Sequence, residues 1–252
     1  MLMFSSLHHH PFAVEAFFTR SLVLTFAAPA ETLSPLLPPC LELDTFDHKW
    51  GFAAMAMVQT KHLRPKGFPA WMGNDFFLIG YRLFVKYHTS YGKRLRGLYI
   101  LQSQTDKKKM EWLGNIFTKY NYSTTDIQQK IYDNKYMLES KESGFNLEAN
   151  IANEQFPLPA SSPFSDWKEA RRFAGPLPFT FSYVPEKKSV LIVEGVREDW
   201  EPRPVAVTNM QITFPEMLQN KGLQLANAFV VENIPYSWKK GKLDPWISKE
   251  IS

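Results

Sequence analysis

The chain has one cysteine, Cys40, in 252 residues, so no internal disulfide can form and a disulfide-stapled secreted scaffold is excluded. Glycine is scarce, 12 residues against 18 prolines, and neither recurs with a period, which excludes collagen-like chains. Long apolar runs are missing as well. A spanning helix needs about 18 consecutive apolar residues. The longest stretches free of Asp, Glu, Lys and Arg are residues 1–14, interrupted by three histidines, and 173–185, interrupted by three prolines. The apolar stretch SLVLTFAAPA starts only after Arg20 and has Glu15 upstream, so it reads as a strand rather than an export signal. Cytoplasm is the expected location.

The standard chemical signatures are also absent. There is no Walker loop, no G-x-G-x-x-G opening a helix, no G-x-S-x-G elbow, no H-E-x-x-H and no pair of C-x-x-C motifs. Common nucleotide, serine-hydrolase and zinc chemistries are therefore not indicated, and no metal or cofactor is expected. The run His8-His9-His10 is the one dense group of metal-ligand types. Consecutive residues of an extended segment point in different directions, so the run reads as an incidental flexible tail.

What is present is a globular composition, with 44% hydrophobic, 15% aromatic and 21% charged residues. Lys+Arg number 29 against 25 Asp+Glu, a net charge of +4. The excess is spread over short clusters (107–109; 93, 94 and 96; 239, 240 and 242), whereas a nucleic-acid binder concentrates cations on one face. Neither a nucleic-acid nor a membrane partner is expected, and the oligomeric state is not indicated. A single domain over 20–252 is expected, preceded by an extension over 1–19.

Most of the chain alternates β-branched and aromatic runs with Gly, Pro, Asn and Asp, the pattern of a mainly antiparallel β fold. Strands are expected at 21–27, 51–61, 76–88, 97–104, 124–132, 135–140, 145–152, 179–184, 189–196, 205–214 and 223–232. That many strands in one domain imply a barrel or two curled sheets. Helices are expected at 30–37, at 107–119 behind Asp106 as N-cap, and at 166–173. The last opens on Asp166 with Glu169 and stops before Ala174-Gly175-Pro176. The run GFAAMAMV at 51–58 is apolar on both faces. It should lie centrally with a second layer or a lined cavity beside it, and its alanines leave room. On 76–88, Arg82, Phe84, Lys86 and His88 share one side, either a solvated face or an anion-attracting wall.

Two acidic features stand out. Asp44 and Asp47 could form a carboxylate pair, but D-x-x-D before Lys and an aromatic favours a β-turn. Glu194, on the apolar strand VLIVEGV, must face a wet cavity or be paired, with Arg82 or Arg197 as partners. It is a better functional candidate than Glu198, Asp199 and Glu201.

The ordered blocks LLPPCLELDTFDHKWGFAAMAM, RPKGFP, GYRLFV, RGLYILQSQTD and KYNYSTTDI, followed by ARRFAGPLPFTF, VEGVREDW and LANAFVVENIPYSWKKG, resemble the uncharacterised bacterial YqjF-like family related to acetoacetate decarboxylase. The resemblance implies a cone-shaped antiparallel β-barrel enclosing an apolar cavity. In the decarboxylase a lysine, its pKa lowered by a second lysine, forms a Schiff base with the substrate. The matching block here reads Tyr120-Asn121-Tyr122-Ser123, with Tyr122 and Ser123 in place of the lysines and Leu78 in place of an acid.

Three functions follow. The first is binding of a small, partly apolar organic acid, with Arg82 taking its carboxylate, Tyr99 and Tyr122 as hydroxyl donors and Glu194 as counter-charge. The second is an enzyme without an imine, in which Tyr122 or Glu194 is the general acid or base. The third is a lysine-dependent decarboxylase with Lys119 as the nucleophile. A filled barrel serving only as an interaction protein is the bland alternative.

Overall fold

The computed structural model describes residues 7–175, 177–198 and 200–246. Asp199, Pro176 and both ends of the expected domain boundaries, 1–6 and 247–252, lie outside the described residues. The strands are β1 (Val14–Pro29), β2 (Glu42–Leu43), β3 (Trp50–Pro65), β4 (Asn74–His88), β5 (Arg94–Thr105), β6 (Tyr122–Thr124), β7 (Gln128–Tyr132), β8 (Lys135–Ser140), β9 (Phe145–Asn150), β10 (Phe179–Val184), β11 (Ser189–Arg197), β12 (Arg203–Pro204), β13 (Ala206–Ile212), β14 (Gln224–Trp238) and β15 (Lys242–Pro245). The helices are α1 (Ala30–Leu33), α2 (Lys108–Phe117) and α3 (Trp167–Ala174). None is long and apolar enough to cross a membrane.

The mainly β class read from the sequence is the one observed. In the large sheet β14, β1, β3, β4, β5, β10 and β11 follow one another, and β11 pairs back onto β14 through Gly195–Trp238 and Arg197–Tyr236, closing a ring. The ring is not antiparallel throughout. At β5 and β10 the strands run parallel, Gly97 opposite Phe179, because the chain between them crosses over through α2, strands β7 to β9 of a second sheet, and α3. That second sheet has the order β13-β9-β8-β7.

The expected extension is not separate from this architecture. Strand β1 begins at Val14, which pairs with Trp238 and Pro65, so residues 14–19 complete the ring. The histidine run is not a loose tail either. His9 and His10 are buried, the His10 amide donates to the Phe117 carbonyl at 3.2 Å, and the His10 carbonyl accepts from Gly241 at 2.9 Å. These backbone bonds and the cover of α2 fix the segment, a tertiary effect that its polarity concealed.

Alternation along the ring strands separates two faces. On β3, Ala53, Met55 and Met57 enter the largest apolar cluster, which also takes Phe145, Leu147 and Ala149 of β9. Ala54, Ala56 and Val58 turn the other way and line a cavity. The doubly apolar run thus has a core on one side and a small-residue cavity wall on the other.

At α3 the Asp166 carboxylate caps the Glu169 amide at 2.7 Å, while Glu169 accepts from the Ser165 amide at 2.7 Å. Asp106 does not cap α2. Its Oδ1 accepts from the Phe77 amide at 2.7 Å, and Lys107 occupies the cap position. Asp44 and Asp47 are not a pair: buried Asp44 binds Lys86 at 3.1 Å and Arg96 at 2.5 Å, while Asp47 sits in a turn with φ 50°.

Candidate functional site

A cavity of about 430 Å³ is lined from all seven ring strands, from α2 and from residues 10–12. Phe18, Val23, Ala56, Val58, Leu78 and Phe229 make much of its wall apolar. Against that wall stands a polar group formed by Arg82, Tyr120, Tyr122, Tyr236 and Thr180. A cavity of this size with few convergent polar groups has the form of a small-molecule site.

Each polar group is placed by a local device. Asn121, at φ 51°, takes the left-handed conformation that asparagine tolerates, and the turn it makes lets Tyr120 and Tyr122 on either side both reach the cavity. Asn115 of α2 clamps the Tyr122 backbone, donating to its carbonyl at 2.9 Å and accepting from its amide at 2.8 Å. Glycines make room: a Cβ on Gly114 would run into the Tyr122 ring, one on Gly195 into the Tyr236 hydroxyl, and one on Gly80 would lie 3.0 Å from Arg82 Nε.

Arg82 is half-buried by accessible surface, and its remaining accessible surface faces the cavity. Among the described residues no carboxylate forms an ion pair with it, and its Nε has no hydrogen-bond partner. Burial pulls its pKa below the ordinary arginine value, and the phenols of Tyr236, Tyr122 and Tyr120 oppose that shift. Burial in turn raises the Tyr120 and Tyr122 pKa values, that of Tyr122 to about 12, while Arg82 lowers both. Both phenols are therefore neutral donors at pH 7. His10 Nε2 and Trp200 Nε1, on residues that also line the cavity, likewise have no partner among the described residues.

His10 packs against Tyr120 with ring centroids 5.5 Å apart, and burial lowers its pKa from 6.5 to about 4. The folded protein therefore keeps this imidazole neutral where the unfolded chain protonates it. Stability present above pH 6.5 should fall as the pH drops toward about 4, by at most about 3 kcal/mol. Urea unfolding at pH 7.5 and 4.5 measures this loss, and His10→Asn, which suits the residue's φ of 49°, should reduce it. An unchanged loss in the variant would place the acid sensitivity elsewhere.

Of the residues picked from the sequence, Arg82 and Tyr122 come together in the cavity. Tyr99 does not. It alternates with the lining residues Leu98 and Ile100, packs against the large apolar cluster, and burial near Cys40 raises its pKa. Glu194 points away from the cavity and pairs with Lys239 at 2.9 Å, not with Arg82 or Arg197. Its neighbour Gly195 is the residue that faces Tyr236. Lys119 pairs with Glu186 at 3.4 Å, whereas Thr118 and Tyr120 line the cavity. On β4 the row of cations divides: Arg82 faces the cavity, Lys86 binds Asp44 and exposed His88 lies 3.6 Å from Glu42.

Among the described residues no lysine lines the cavity, and no group of three His, Cys, Asp or Glu side chains is placed to hold a metal. Burial pushes the Cys40 thiol up to about 12, so it remains protonated and unreactive. The sequence reading passed over His10, Tyr120, Tyr236 and Trp200. Only Tyr120 carried a visible signal, its two-residue spacing from Tyr122 across an asparagine. The others reach the cavity through strand pairing and chain return.

The fold has counterparts among solved structures. Acetoacetate decarboxylase from Legionella pneumophila matches with a TM-score of 0.62 and 11% identity, over 97% of this chain and 91% of that one. An acetoacetate decarboxylase-like enzyme from Sphingomonas wittichii RW1 matches with a TM-score of 0.51 and 11% identity, over 92% of each chain. A further acetoacetate decarboxylase structure matches with a TM-score of 0.58 and 9% identity, over 95% of this chain and 91% of that one. At such identities the likeness is one of fold. No curated protein sequence matches the chain. A family model matches residues 16–239, from the start of the ring to the strand that closes it, and the chain belongs to that family, DUF2071, described as an uncharacterized conserved protein (COG2071).

Proposed function

We propose that the protein binds a small, partly apolar organic acid in the cavity, with the Arg82 guanidinium receiving the carboxylate. One observation carries the reading: a half-buried arginine without a carboxylate partner among the described residues faces a largely apolar cavity. A buried cation is costly unless paired, and a bidentate carboxylate supplies both the charge and the acceptors. Tyr120 and Tyr122, as neutral phenols, supply further donors. The volume suits a ligand larger than a keto acid of a few carbons, with its chain lying along Phe18, Val58 and Phe229. The reading extends to a cytoplasmic carrier or sensor of the YqjF-like type.

The test is calorimetric titration with octanoate and with octanol, joined to native mass spectrometry of the purified protein. Saturable octanoate binding with at least about tenfold weaker octanol binding supports the carboxylate role. Equal affinity for both, or none for either, counts against it.

The second reading is an enzyme acting on a keto acid without an imine. Neutral Tyr122 at about 12 beside Arg82 suits a proton donor to a developing oxyanion better than a base. Lys119, held by Glu186 and not among the lining residues, is poorly placed to attack a ligand. Borohydride with acetoacetate should therefore leave the mass of the protein unchanged. An adduct mapped to Lys119 by peptide analysis would restore the decarboxylase reading.

A further inference from the structure

Four arginines line a second surface groove, of about 370 Å³, that no part of the reading above uses. Arg94 and Arg96 come from β5, Arg171 and Arg172 from the last turn of α3. Two elements from distant parts of the chain thus bring like charges to one place. Arg96 is committed to the fold, with Nε on Asp44 at 2.5 Å, Nη2 on the Phe173 carbonyl at 2.8 Å and its guanidinium over the Phe173 ring at 4.8 Å. Arg94, Arg171 and Arg172 are exposed and form no ion pair among the described residues. Among the described residues no acidic side chain lines the groove.

Gathering cations costs free energy that a bound anion would relieve. The C-terminal end of α3 offsets part of the charge of Arg171 and Arg172, but Arg94 lies on a strand and gains nothing from it. The remaining walls, including Leu95, Leu177 and Phe179, are apolar. A bare ion has no use for such walls; an organic group beside an anionic head does. Guanidinium forks match phosphate oxygens in pairs.

We infer that this groove binds the phosphate of a small organic phosphate, with Arg94, Arg171 and Arg172 on the phosphoryl oxygens and the organic part against Leu177 and Phe179. Gly175 and Leu177 line both the groove and the cavity, so the two sites share a wall without sharing Arg82.

The probe is phenyl phosphate, titrated calorimetrically at low salt, where surface electrostatics are least screened. Saturable binding is expected, with orthophosphate at least about tenfold weaker. Arg94→Ala/Arg172→Ala should weaken phenyl phosphate at least about tenfold, since it removes two of the three guanidinium forks on the phosphoryl oxygens. Both positions are exposed, so circular dichroism should show an unchanged fold. Arg82→Met should leave phenyl phosphate affinity unaltered, which separates this site from the cavity. No binding, equal binding of orthophosphate, or unchanged affinity in the double variant would each overturn the assignment. Tighter binding of a single-stranded oligonucleotide that depends on the same arginines would overturn it in favour of nucleic acid.

Discussion

Arg82→Met should raise the melting temperature of the ligand-free protein while removing carboxylate binding. In the wild-type chain the guanidinium is partly withdrawn from water, has no ion-pair partner among the described residues and leaves its buried Nε without an acceptor. The phenols beside it compensate only in part. Methionine has a comparable length, no charge and the flexibility to fill the space above Gly80. Even buried ion pairs can often be replaced by apolar side chains of similar volume with no loss or a gain of about 1–4 kcal/mol, and an unpaired cation forfeits no partner on replacement. At this chain length each kcal/mol moves the melting temperature by about 2–4 °C.

The same substitution removes the charge-assisted fork from a bound carboxylate. The cost should be about 2–5 kcal/mol, an affinity loss of about 30-fold or more. Arg82→Lys keeps the charge but not the planar fork and should fall between. Differential scanning fluorimetry with and without octanoate reads both effects together. A lower melting temperature for Arg82→Met would identify the arginine as a structural group and sink its role as a ligand anchor.

Gly97→Ala should destabilise the fold by about 3 kcal/mol or more, lowering the melting temperature by about 6–12 °C. Gly97 sits in the parallel seam where β5 meets β10, paired with Phe179. An added Cβ would run into the Phe179 carbonyl and lie 2.5 Å from the Phe181 ring. The obstacle includes backbone, which cannot rotate aside as a side chain can. The seam has only three paired positions to absorb the displacement, Gly97, Leu98 and Tyr99. Gly67→Ala is the natural control. It has a φ of 89° and nothing within 4 Å of the added atom, so only backbone strain of about 1 kcal/mol is expected. Equal melting temperatures for the two variants would mean that the seam does not hold the ring closed.

The sequence reading was most successful where periodicity acts locally. The strand expected at 145–152 is β9, where Phe145, Leu147 and Ala149 alternate with polar residues and are buried, and the Asp166–Glu169 pair correctly marked the start of α3. Other errors share one cause. The expected strand at 124–132 is two strands, β6 and β7, with Asp126 between them accepting from Ser140 at 2.6 Å and from the Glu142 amide at 3.0 Å. That contact is to a turn remote in sequence. Glu194 was expected to face a wet cavity or be paired with Arg82 or Arg197; it is paired, but with Lys239, because β14 ends beside it.

By itself the sequence determined the strand-rich class, most element positions and the two-faced character of β3. Those properties rest on side-chain spacing within a few residues. The closure of β11 onto β14, the parallel seam, the capture of His10 and the orphaned state of Arg82 were decided by tertiary structure. Each depends on groups scores of residues apart, and a hydrogen-bond vacancy or an unpaired charge becomes visible only when every neighbour in space is known.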